Sequence, residues 1–257
     1  MSTLWNSWGS TFLVALLAGF SLSAEFASAQ DVQASILVET GGQPSMSMDY
    51  RANARGVRVD ITQSQPLSII WMQGPPPKIL LLQHANRRYI ELGEPMFQMM
   101  QQLMQQMTTT AEPSPNFDIE SLNFEETGRT QTVGSWTASE IHIAGLGTNQ
   151  AGTLWIAPDL DIGLFELLAR MTEPLDVMQI PMLGGVTAGP QRLIQFRQMG
   201  DATNLPSGGA VRLTVTDPSE TSNITLQSLE RVSFSEDPFA PPAGYEPTQM
   251  PSVSFPE

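Results

Sequence analysis

Cysteine is absent from this 257-residue chain. Its absence excludes disulfides, thiolate catalysis, thiolate metal sites and lipid attachment at an amino-terminal cysteine. Positive charge is scarce as well: 12 Lys and Arg stand against 26 Asp and Glu, a formal net charge of −14, and Lys78 is the only lysine. That balance argues against nucleic acid and anionic membrane surfaces as partners. Catalytic motifs are missing too. Gly145-Leu146-Gly147 and Gly184-Gly185 are isolated glycine turns, with no nucleophile-elbow serine and no phosphate-binding loop around them. No catalytic residue and no cofactor is assigned, and the chain reads as a non-enzyme.

What is present begins at the amino terminus. Thr11 to Ser23 form an apolar run, followed by Ala27-Ser28-Ala29 before the polar Gln30-Asp31. Small residues at the −3 and −1 positions give residues 1–29 the layout of a cleaved secretory signal. The run is shorter than the ~20 apolar residues of a spanning helix. It departs from the pattern in having no Lys or Arg before it, and a retained anchor is the other reading. The expectation is an exported, soluble, periplasmic protein starting at Gln30, with no stable membrane insertion after cleavage. Without disulfides it must be held by an ordinary core.

From Ala34 onward the hydrophobic period is two. Strands are expected at Ser35–Thr40, Ser45–Ala52, Val57–Thr62, Ser68–Met72, Lys78–His84 and Arg88–Leu92. Val57, Val59 and Ile61 share one face, and Arg58 and Asp60 the other. Gly74-Pro75-Pro76-Pro77 and Ala85-Asn86-Arg87 mark turns. After Pro95 the period changes: Met96, Met99, Met100, Leu103, Met104 and Met107 recur at helical spacing among glutamines. Strands resume at Phe124–Val133, Ser135–Ile143 and Gly152–Ala157. A second helical stretch carries Ile162, Phe165, Leu168 and Ala169, with a break expected near Pro174. Ala210–Asp217 and Asn223–Phe234 close the pattern; Gln191–Met199 is not firmly assigned. The fold class is α+β, mainly antiparallel. Residues 30–246 read as one domain, the sequence turns proline-rich from Asp237, and a tail occupies 247–257.

Three segments, GRTQTVGSWTASEIHI, GTLWIAPDLDIGLFELL and ITLQSLERVSFSEDPFAPPAGYE, taken in this order, resemble the DUF4412 group. Its fold is similar to that of the periplasmic lipoprotein carriers of the LolA type. The resemblance covers most of the chain after residue 29, and departs from the family at Thr137-Ala138-Ser139. It implies a strongly curved antiparallel sheet, an unclosed half-barrel, with two helical segments covering the concave face. It does not imply the lipoprotein cargo.

The candidate ligand-binding residues follow from the stripe Met96, Met99, Met100, Leu103, Met104 and Met107, with Phe165 and Leu168 from the second helix. A methionine stripe can line an adaptable apolar groove, and it can equally be plain core. Arg87 and Arg88 are head-group candidates at a cavity mouth, or an ordinary charge pair at a hairpin edge. No metal site is assigned: His84 and His142 would have to converge with Glu91 or Glu140 from distant strands. Asp159 and Asp161 precede a helix and suit capping better than calcium. Trp71, Trp136 and Trp155 fall in strands, at least two of them as core. Two functions remain open: a carrier of an apolar or amphipathic ligand such as a lipid or acylated peptide, or a non-catalytic envelope protein with a filled core that meets a protein partner.

Overall fold

The computed structural model describes residues 31–62, 65–74, 76–93, 121–146, 150–178, 199–200, 202, 204–216, 218 and 220–248. The chain runs through β1 (Asp31–Thr40), β2 (Met46–Asn53), β3 (Gly56–Thr62), β4 (Leu67–Met72), β5 (Lys78–Gln83) and β6 (Arg88–Leu92). It continues with β7 (Asn123–Val133), β8 (Trp136–Ala144), β9 (Ala151–Ala157), α1 (Leu164–Met178), β10 (Gly209–Thr216), β11 (Thr221–Val232) and β12 (Glu246–Pro247). All twelve strands form one sheet in the order β12-β6-β5-β4-β3-β2-β1-β11-β10-β9-β8-β7. Every neighbouring pair is antiparallel except β12 with β6.

The two ends of that order, β7 and β12, do not pair, so the sheet is open. It is also curved. Open sheets beyond about ten strands curl, and bulges at Ser35/Ile36, between Ala210 and Arg212, and between Glu126 and Thr130 add local bend and twist. Helix α1 lies on the inner face, against β10 and β3. There Val32, Ala34 and Ile36 of β1, Met48 and Tyr50 of β2, Val57 and Val59 of β3, and Ile141, Leu154 and Leu213 of β8–β10 join Leu164, Phe165, Leu167 and Leu168 in one core.

The expected strands coincide with β1 to β11, with ends displaced by a few residues. The largest shift is at β1, which starts at Asp31 because Val32 and Ala34 extend the buried alternation. Of the expected pair of helices, α1 is the one helix of more than a turn among the described residues, and Met96–Met107 lies outside them. No break occurs at Pro174, and α1 runs through to Met178. Proline removes one intrahelical hydrogen bond, and here the remaining ladder continues past it. The tail boundary cuts through β12, whose Glu246 and Pro247 pair with Arg88 and Tyr89.

Helix capping also differs from expectation. Gly163 occupies the N-cap position, and its N–H donates to Glu166 Oε2 at 2.7 Å, the reciprocal arm of a capping box. Asp161 instead pairs with Arg231, and Asp159 is exposed. Glycine is required at 163 because a Cβ there would lie 2.3 Å from the Ala210 nitrogen.

Candidate functional site

Both faces of the sheet are apolar between β4 and β6. The sequence cause is visible in LSIIWM and KILLLQ, where apolar residues are consecutive instead of alternating, the pattern of strands covered on two sides.

On the inner face the register builds three rows across β4, β5 and β6. Trp71, Ile79 and Leu92 form a buried row, Ile69, Leu81 and Ile90 a half-exposed row, and Leu67, Gln83 and Arg88 a row with a polar edge. The first two rows make an apolar cluster separate from the core beneath α1. Trp71 is 6% exposed, and its indole Nε1–H has no acceptor among the described residues. Arg88 lies at the outer end of this gradient, exposed. Arg87 sits beside it in the β5–β6 turn with a left-handed backbone, φ 52°.

Phe165 and Leu168 are 5% and 1% exposed and pack into the main core. Met96, Met99, Met100, Leu103, Met104 and Met107 lie outside the described residues. The structure therefore brings together Arg87 and Arg88, places Phe165 and Leu168 in a different cluster, and adds a set unassigned from sequence: Ile69, Trp71, Ile79, Leu81, Ile90 and Leu92.

On the outer face Ile70, Leu80 and Leu82 are covered by Phe239, 2% exposed, with Met72, Tyr89 and Tyr245 packed around them. Phe239 and Tyr245 belong to a strap, Asp237–Thr248, that crosses this face. Arg55 holds Asp237 through two hydrogen bonds of 3.0 and 3.3 Å, and its guanidinium lies 5.6 Å from the Phe239 ring centroid. Arg58 donates to the Pro238 carbonyl at 3.0 Å. The strap then adds β12 to the sheet edge: Glu246 N–H donates to Arg87 O at 3.0 Å and Thr248 N–H to Tyr89 O at 2.7 Å. Between strap and sheet lies an open pocket of about 250 Å³, lined in part by Met72, Leu80 and Tyr89 together with Lys78 and Glu91. Lys78 Nζ is 3.8 Å from Glu91. The pocket is smaller than sites that enclose drug-sized ligands, about 300 Å³ and upward.

A polar chain anchors the strap. Asp60 accepts from Arg51 at 2.9 Å and from Arg58 at 2.8 and 3.0 Å, and also from the fully buried Ser68. Ser68 Oγ is 2.6 Å from His84 Nε2, and His84 Nδ1 is 2.5 Å from the Tyr245 hydroxyl. Proton counting fixes the directions. The carboxylate can only accept, so Ser68 directs its single hydrogen to Asp60, and His84 Nε2–H donates to Ser68 Oγ. With one proton on the ring, at Nε2, Nδ1 is left to accept from the Tyr245 hydroxyl. The trio of Ser, His and Asp is therefore wired opposite to a nucleophilic triad, in which the base takes the serine proton and the acid orients the base.

The other polar candidates are engaged locally. Glu140 accepts from Thr127 at 2.8 Å and pairs with Arg129 at 3.1 Å across the β7–β8 bulge. His142 is exposed, Trp155 is buried and Trp136 is half-buried. Among the described residues no three His, Asp or Glu side chains come together to hold a metal ion, and no helix is long and apolar enough to cross a membrane.

No protein-family model matches the chain, so the DUF4412 resemblance has no support from that comparison, and no curated protein matches it either. Several solved structures are similar in outline. An uncharacterized conserved protein from Thermus thermophilus aligns at 10% identity and a TM-score of 0.41, over 87% of this chain and 93% of that one. LprF from Mycobacterium bovis aligns at 9% identity and 0.33, over 84% and 92%. A LolA superfamily protein from Nitrosomonas europaea aligns at 10% identity and 0.26, over 81% and 88%. Likenesses this distant bring no activity with them.

Proposed function

We propose that this chain is an exported envelope protein that binds an apolar or amphipathic ligand, a lipid or acylated peptide, on the inner face of its half-barrel. The observation that supports this reading is the inner-face gradient across β4–β6: a buried apolar row, a half-exposed apolar row and then Gln83 and Arg88. Such a graded surface suits a molecule with an apolar body and a polar head. In this reading Arg87 and Arg88 receive the head group. The stripe Met96, Met99, Met100, Leu103, Met104 and Met107 supplies a displaceable cover, while Phe165 and Leu168 hold α1 against the main core. No catalytic group takes part.

A second reading is a non-catalytic interaction protein with a filled core. The complete burial of Leu164, Phe165, Leu167 and Leu168 favours it, because those side chains leave the helix no free apolar face at its first two turns. Native mass spectrometry of protein purified from its own host separates the two. A co-purifying lipid-sized mass supports binding, and a bare chain under conditions that retain lipids contradicts it.

A further inference from the structure

The Trp71 indole N–H is the polar group of the inner-face cluster that has no acceptor among the described residues. Its side chain is more than nine-tenths buried between Val57 of β3 and Ile79 of β5, in the row deepest from the polar edge. A buried donor without an acceptor is costly, and native cores pair the large majority of such groups. The neighbours Ile69, Ile79, Leu81, Ile90 and Leu92 are all hydrocarbon and offer no acceptor. A ligand that supplies the acceptor missing among the described residues would therefore lie on an apolar surface.

We infer that the ligand carries an uncharged carbonyl oxygen within its apolar body, and that Trp71 Nε1–H donates to it. This rests on the inner-face binding reading above and narrows its ligand class. Trp71 lies two rows from Arg88, about 13 Å along the strands at the spacing of extended chain. The acceptor at Trp71 is thus distinct from a head group at Arg88, and a plain hydrocarbon chain between them would leave the indole unpaired. Ester, amide and ketone carbonyls share the required chemistry. An anion does not, because burying its charge here would be costly without a counter-charge.

The test is displacement of a fluorescent apolar probe from the chain beginning at Gln30, using two competitors of equal length, a long-chain methyl ketone and the matching alkane. The expected result is that the ketone binds about tenfold more tightly than the alkane, the factor for one hydrogen bond to a buried donor. Trp71→Phe, which keeps a buried ring and removes the N–H, is expected to abolish that preference while still binding the alkane. Nuclear magnetic resonance of the indole N–H gives a second readout: the Trp71 signal, identified by its loss in Trp71→Phe, shifts with ketone and not with alkane. Equal affinities in the parent protein, or a preference that survives Trp71→Phe, overturn the carbonyl inference and leave inner-face binding standing. Failure of both competitors to displace the probe, or of the probe to bind, overturns the binding reading and the inference with it.

Discussion

The Tyr245 hydroxyl lies 2.5 Å from His84 Nδ1, across 161 residues of sequence, and ties the end of the described chain to the turn after β5. Through His84 the contact continues to Ser68, Asp60, Arg51 and Arg58. Tyr245→Phe removes one hydrogen bond and keeps the ring, so it should cost about 0.5–1.5 kcal/mol. Ser68→Ala removes the fully buried hydroxyl that bonds both Asp60 and His84, and should cost more, about 1–3 kcal/mol. Denaturant unfolding of the two variants checks the order. Equal effects would contradict the two hydrogen bonds assigned to Ser68.

The strap covers apolar surface as well as holding a polar chain. Phe239→Ala removes a buried ring and should cost about 3–5 kcal/mol. Truncation after Glu236 removes Phe239 and β12 together, exposing Ile70, Leu80, Leu82 and the edge of β6. An open edge beside an apolar face invites pairing between chains. Light scattering should then show association that the full chain does not.

Gly163 and Glu166 set the start of α1. Gly163→Ala forces a Cβ to 2.3 Å from the β10 backbone, and overpacking of this kind should cost about 1–3 kcal/mol. Glu166→Ala frees the Gly163 N–H and should cost about 1 kcal/mol. Thermal unfolding of both variants distinguishes them, with the glycine change the larger.

The strands were legible because Val57, Val59 and Ile61 alternate with Arg58 and Asp60, and the register follows once one face is buried. The strap was not. Asp237–Thr248 has no hydrophobic period; its binding comes from single side chains, Asp237, Phe239 and Tyr245, from the Pro238 carbonyl and from two backbone hydrogen bonds. The cap was misplaced because Asp159 and Asp161 are cap-forming types, whereas the carboxylate that serves lies inside the helix, at Glu166. The inner-face cluster could have been found. Consecutive apolar residues in Leu67–Met72 and Lys78–Gln83 imply cover on both faces, so Ile69, Trp71, Ile79 and Leu81 needed a partner distinct from that of Ile70, Leu80 and Leu82.

Core and site residues should respond oppositely. Leu168→Ala, at a fully buried position, should lose about 2–5 kcal/mol of stability. Met100→Gln with Met104→Gln should weaken binding of a hydrophobic probe if that stripe covers the ligand, and should lower the melting temperature with no parental binding to lose if it is only core. Measuring probe affinity and melting temperature on each variant checks both.

The most direct test is equilibrium titration of the chain beginning at Gln30 with fatty acids, phospholipids and acylated peptides, repeated on Leu81→Gln with Ile90→Gln. Both positions are partly buried on the inner face and pack against Trp71, Ile79 and Leu92, so the melting temperature is measured beside the affinity. The expected result is saturable binding by the parent protein and a loss of at least about tenfold in the double variant while it is still folded at the titration temperature, since each substitution removes apolar contact worth more than ~1 kcal/mol. No saturable binding by the parent, or binding that the double variant retains in full, would contradict an inner-face ligand site.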